Sequence, residues 1–215
     1  MLVLSSNTVL LAADNGYVYK CEDVTAGVTT LAAGLASSAD LLRIKGNWQH
    51  QVIAGGTATG VILRSVDRGK NWSALTTYPS VDVFGAVEVM QTETIWVGTT
   101  SGYLYVSYDA GESWTEIVFN ANGANPITDI QAATDEVMYF IYNTTVPTLY
   151  SSFNGGESWD NSAPLVVGFG TYSSVSRIAT PLMGSTVSVL ANDATLAGEL
   201  TSGVGLILTG SANYV

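Results

Sequence analysis

Three octapeptides constrain this chain more than anything else in it: "SVDRGKNW" from Ser65 to Trp72, "SYDAGESW" from Ser107 to Trp114, and "SFNGGESW" from Ser152 to Trp159. All read Ser-x-Asp/Asn-x-Gly-x-x-Trp, and their third residues, Asp67, Asp109 and Asn154, lie 42 and 45 positions apart. A motif that returns at a nearly constant interval marks a structural unit laid down repeatedly. Counting back 44 residues from Asp67 reaches Asp23 in "CEDVTAGVTT", where Cys21 replaces Ser, Gly27 comes two residues late and Thr30 takes the Trp position. This is the expected remnant of a further copy. Another corner is expected in "GELTSGVGLIL", which keeps Gly203 and Gly205 but has neither Asp nor Trp. Five units of about 43 residues account for all 215.

The residues around the octapeptides repeat as well. "TVLLAADNGYVYK", "HQVIAGGTATGVILR", "TIWVGTTSGYLYV", "VMYFIYNTTVPTLY" and "TVSVLANDATLAGEL" each give an apolar run, a break rich in Gly, Asn or Thr, and a second strand. Upstream stand "LLRIKG", "VFGAVEVM", "ITDIQAAT", "SVSRIAT" and a shortened "LVLS"; after the corners come outer strands such as "WSALTT" and "WTEIVF". The inner runs are apolar on both faces, as strands are when their sheet is sandwiched between neighbours. No stretch carries a 3.6-residue period, so helix is nearly absent. The expectation is an all-β chain, a single β-propeller domain over 1–215 with about five four-stranded blades near 1–35, 36–79, 80–122, 123–166 and 167–215. No spare strand is visible for closure by strand exchange. The ring then closes by side-chain packing, or "SANYV" reaches a neighbour in another subunit.

Each octapeptide falls between the third and fourth strands, where the chain must reverse. Asp67, Asp109 or Asn154 can accept hydrogen bonds from backbone N–H groups of the turn, and Ser65, Ser107 and Ser152 can add another local bond. Gly69, Gly111 and Gly156 supply the positive φ that a short hairpin needs. Trp72, Trp114 and Trp159 follow as caps on the sheet edge. Asn154 is informative: an amide oxygen holds a turn as a carboxylate does, but it is neither a general base nor a nucleophile. The motif is read as scaffolding.

Ser-x-Asp-x-Gly-x-x-Trp resembles the Asp-box, or BNR, signature of sialidases, sortilin-type receptors, xyloglucan-degrading glycosidases and the photosystem II assembly factor group. Two copies match fully and the third departs at Asn154, with the flanking repeats extending the resemblance along the chain. The resemblance implies a propeller and places the motif at its outer rim. It does not imply sialidase chemistry, which needs three arginines converging on a carboxylate. Of four arginines, Arg64 and Arg68 belong to a rim hairpin, leaving only Arg43 and Arg177 on innermost strands to line a channel.

Other chemistry lacks material. Glycosidase action needs two carboxylates at a fixed separation; the inner-strand and axial-loop candidates are Asp14, Glu88, Asp129 and Asp193, without long aromatic loops beside them. His50 is the only histidine, which removes a Ser-His-Asp triad and a multi-histidine metal site, so neither metal nor cofactor is expected. Seven Lys and Arg against 18 Asp and Glu give a net charge of −11, which speaks against nucleic acid and anionic membranes. Cys21 is the lone cysteine, so no internal disulfide is expected. No apolar run is long enough to span a membrane, and "MLVLSSNTVLLAA" lacks the basic start of a signal peptide.

What remains is surface. The loops expected on one face are neutral and rich in Asn and Thr, with Tyr78, Asn120, Asn122, Asn125 and Tyr172 as candidate contacts; Trp48 marks an apolar tip on the opposite face. The leading expectation is a non-catalytic structural or interaction propeller. Its acidic, cysteine-poor composition suits a component made in the cytoplasm and carried on a virus or phage particle or another extracellular surface, with capsid or tail proteins as partners. The alternatives are a propeller that binds or cleaves cell-surface glycan, and a soluble assembly factor similar to the photosystem II group.

Overall fold

The computed structural model describes residues 2–5, 7–13, 17–26, 28–34, 41–46, 52–56, 61–75, 82–90, 92–119, 123–144, 147–161, 174–179, 186–192 and 204–209. These residues form antiparallel sheets and no helix. The first sheet holds β1 (Leu2–Val3), β2 (Val9–Ala12), β3 (Tyr17–Asp23) and β4 (Val28–Gly34). The second holds β5 (Leu41–Gly46), β6 (Val52–Gly56), β7 (Ile62–Ser65) and β8 (Ser73–Leu75). The third holds β9 (Phe84–Val89), β10 (Ile95–Thr99), β11 (Leu104–Ser107) and β12 (Thr115–Ile117). The fourth holds β13 (Ile127–Ala132), β14 (Met138–Tyr142), β15 (Thr148–Ser152) and β16 (Asp160–Asn161); the last holds β17 (Ser174–Ala179), β18 (Thr186–Asn192) and β19 (Val204–Thr209). Each sheet is an up-and-down meander in which every strand pairs with the next in sequence.

The chain divides into two compact units, Met1–Thr99 with Leu104–Ile117, and Thr100–Tyr103 with Val118–Val215. In the first unit β5 lies against β1, β2 and β9. Leu10, Val18, Ile44 and Leu63 are buried between the first two sheets, with Leu2, Val61 and Trp72 packed on them. In the third sheet Phe84, Val87, Trp96, Leu104 and Val106 are fully enclosed. In the second unit β13 and β14 lie against β17, and aromatic rings fill the fourth sheet. Phe140 stacks on Tyr150 with centroids 4.7 Å apart, and Phe119 sets its edge on both. The Thr100–Tyr103 loop turns through Gly102 at φ 87°, where a Cβ would lie 2.5 Å from the Asn125 carbonyl.

One expectation from sequence is corrected here. The described part of "GELTSGVGLIL", Val204–Leu208, is strand and not a corner between third and fourth strands, and Gly203 lies outside the described residues. This strand is β19, the third strand of its sheet, paired with β18 from Ala191↔Val204 to Thr186↔Thr209. Six consecutive residue pairs outweigh a two-glycine turn signal that has no polar anchor. Among the described residues this sheet has three strands, and Val204–Thr209, expected as the start of the fourth, is the third.

Candidate functional site

The octapeptide corners carry the densest polar geometry of the described residues. Ser65, Ser107 and Ser152 end β7, β11 and β15, and each is only 1% exposed. Each hydroxyl donates to the third residue of its motif, Asp67, Asp109 or Asn154, at 2.8 to 2.9 Å. Each also accepts the N–H of the motif glycine, Gly69, Gly111 or Gly156, at 2.7 to 2.8 Å. The side-chain oxygen of the third residue then accepts the N–H four residues on, from Asn71, Ser113 or Ser158. Two successive left-handed residues make the reversal: Arg68 and Gly69, Ala110 and Gly111, Gly155 and Gly156. At the second of the two, glycine takes the positive φ without a Cβ penalty.

A backbone bond ties the corners of the first, third and fourth sheets to the neighbouring hairpin of the same sheet. The residue after the third position donates to the loop between first and second strands: Ala110 to Glu93 at 2.9 Å, Gly155 to Glu136 at 2.9 Å. In the first sheet Val24 donates to Asn7 at 3.2 Å, and Asp23 accepts from Thr25 and Ala26. The remnant copy therefore keeps the cap and the tie after losing Ser and Trp. Trp72 and Trp114 are half-buried and donate to the Gly69 and Gly111 carbonyls at 3.1 and 3.2 Å; Trp159 sets its ring against Phe140.

The electrostatics follow from these bonds. Partial burial would raise the Asp67 carboxyl, but N–H and side-chain donation from Asn71, the Ser65 hydroxyl and the Lys70 N–H lower it to about 2. Asp109 is also lowered to about 2, chiefly by the hydroxyl and N–H of Ser113 and the hydroxyl of Ser107. Asp23 is lowered by the hydroxyl and N–H of Thr25 and the N–H of Ala26. These carboxylates are anions occupied by their own turns. A carboxylate so stabilised is a poor general base.

Charges also join successive sheets of the first unit. Arg64, on β7, donates through Nη1 to the Ala110 carbonyl and through Nη2 to Glu112 at 3.0 Å, both in the corner of the third sheet. Glu22 is held low by a hydrogen bond from Lys20 and by that charge, with a smaller pull from Lys70 in the corner of the second sheet. Sequence reasoning placed Arg64 at a rim hairpin and missed its partners, because nothing local in the sequence sets the register between sheets.

The acids proposed for chemistry divide differently. Glu88, on β9, is 7% exposed and pairs with Lys45 of β5 at 2.8 Å. Lys45 was not singled out from sequence. Asp129 is buried on β13. Asp14 and Asp193 lie outside the described residues, as do His50, Tyr78, Asn120, Asn122, Tyr172 and Trp48. Asn125 is described and half-buried; its N–H donates to the Tyr142 hydroxyl at 3.2 Å, so its backbone braces the loop beside Gly102. Arg43 and Arg177 fall on β5 and β17, the first strands of their sheets. Among the described residues there is no cluster of three metal-ligating side chains, and no helix long and apolar enough to cross a membrane.

Consecutive four-stranded meanders of this kind define a β-propeller, and solved structures agree on that class. The chain is similar to a GH74 enzyme from Niastella koreensis, with TM-score 0.71 and 16% identity over 96% of this chain and 34% of that one. It is similar to the GH74 xyloglucanase from Xanthomonas campestris, with TM-score 0.70 and 17% identity over 97% and 35%. It is also similar to YCF48 from Cyanidioschyzon merolae, with TM-score 0.65 and 17% identity over 89% and 65%. The chain thus spans about a third of the GH74 proteins and under two thirds of YCF48. At such identity the likeness shows the fold alone. No protein-family model and no curated protein sequence matches the chain.

Proposed function

We propose that this chain is a non-catalytic interaction propeller of about five Asp-box-type blades, docking to protein partners within a larger assembly. One observation carries the reading: the carboxylates of the repeated motif are spent on their own turns, through bonds to Asn71 and Ser113 and to Ser65 and Ser107. Glu88, on the inner strand β9, is neutralised by Lys45. The likeness to YCF48 supports an assembly role at a distance. The virion setting expected from composition draws no support from these neighbours.

A second reading, glycan binding or cleavage, is favoured by the likeness to the GH74 xyloglucanase. The two separate in one assay. The purified chain is incubated with xyloglucan and new reducing ends are measured. None are expected. Reducing ends that disappear in Glu88→Gln or Asp129→Asn, both still folded, would replace the interaction reading with a hydrolase.

A further inference from the structure

We propose that Asn154–Gly155 is a fold-gated deamidation site, and that its corner accepts the aspartyl product. An Asn followed by Gly is reactive because no Cβ obstructs approach of the glycine nitrogen to the side-chain carboxamide. In that step the Gly155 nitrogen loses its proton and bonds to Cγ of Asn154, the Cγ–Nδ2 bond breaks, and ammonia leaves. Water then opens the succinimide ring at one carbonyl to give aspartate, or at the other to give isoaspartate. No oxidant or reductant is required.

The closed corner withholds both reactants. The Gly155 N–H is committed to the Glu136 carbonyl at 2.9 Å, with the residue at φ 67°. The carboxamide is held elsewhere: Oδ1 accepts from Ser152 and from the Ser158 N–H, and Nδ2 donates to the Ser158 hydroxyl at 2.9 Å. Attack therefore waits on opening of the corner, and its rate reads the local opening equilibrium. The aspartyl product fits because a hydroxyl both donates and accepts. Ser158 accepts from Nδ2 now; turned, it can donate to a carboxylate oxygen, as Ser113 does to Asp109 at 2.6 Å. Isoaspartate instead lengthens the backbone by one methylene and displaces Gly155 from Glu136.

The full chain is incubated at mildly alkaline pH in buffer and in urea, and peptide mapping resolves Asn, Asp and isoAsp at position 154. Conversion in buffer should be at least about tenfold slower than in urea. Ser158→Ala should raise the rate in buffer several-fold and leave the rate in urea unchanged. Asn154→Asp should unfold cooperatively within a few degrees of the parent. Equal rates in buffer and urea would overturn the gating, and loss of cooperative unfolding in Asn154→Asp would overturn acceptance of the product. If Ser158→Ala fails to fold, the parent's ratio of rates decides alone.

Discussion

The corner at Asp109 and the corner at Asn154 share their backbone and, at the third residue, differ in the direction of one hydrogen bond. At Asp109 the outer oxygen accepts from the Ser113 hydroxyl at 2.6 Å; at Asn154 the amide donates to the Ser158 hydroxyl at 2.9 Å. The bonds of the serine hydroxyl and of Oδ1 recur in both corners, so the turn needs an acceptor at Oδ1 and a partner at the second atom, whether or not that residue is charged. The corner at Asp67 sets a limit on this tolerance. Its outer oxygen accepts from the Asn71 amide at 2.6 Å, and Asn71 can accept in its turn only by rotating the whole amide to present Oδ1, a larger change than the turn of a hydroxyl.

The largest expected effect tests what both corners share. Gly111→Ala puts a Cβ within 2.4 Å of Leu75 at φ 94°, and should cost about 2–4 kcal/mol in urea unfolding. Next, Asp67→Asn turns an amide donor toward Asn71 and should cost about 1 kcal/mol. Asn71→Ser in the same chain should restore most of it. Asp109→Asn, facing Ser113, should lose less than Asp67→Asn at neutral pH, because the Ser113 hydroxyl can turn to accept. If Asp67→Asn and Asp109→Asn behave alike, the seventh residue of the motif does not decide which third residue is accepted.

Acid sharpens the same comparison. Asp67 and Asp109 have folded values of about 2, below the ordinary aspartate value near 4. Their contribution is full above the unfolded value and is lost as pH falls from about 4 through about 2. Asn154 does not titrate. Asp109→Asn should flatten the loss of stability over that window, and Asn154→Asp should steepen it. The smallest effect is expected for Ala110→Gly, which removes a left-handed non-glycine residue at φ 55° and should gain a few tenths of a kcal/mol.

The corners are legible in the sequence because every partner of Asp109 or Asn154 sits within four residues, so spacing alone brings the groups together. The same locality exposes the remnant at Asp23, whose cap on Thr25 survives without Ser or Trp. Reading failed where no side chain anchors the turn: Gly203 and Gly205 look like a corner, and pairing of β19 with β18 puts Gly205 inside a strand. It failed again across sheets. Arg64 with Glu112, and Lys45 with Glu88, are 48 and 43 residues apart, and which rung of one sheet faces which rung of the next is a property of packing.

The most direct measurement is a carboxyl-carbon NMR titration of Asp67 and Asp109, with and without xyloglucan fragments or divalent cations. Both should titrate at about 2 and stay there whatever is added, because their ligands are the amides and hydroxyls of their own turns. Values near 4, or values that move when sugar or metal is added, would contradict the assignment of these corners to the scaffold.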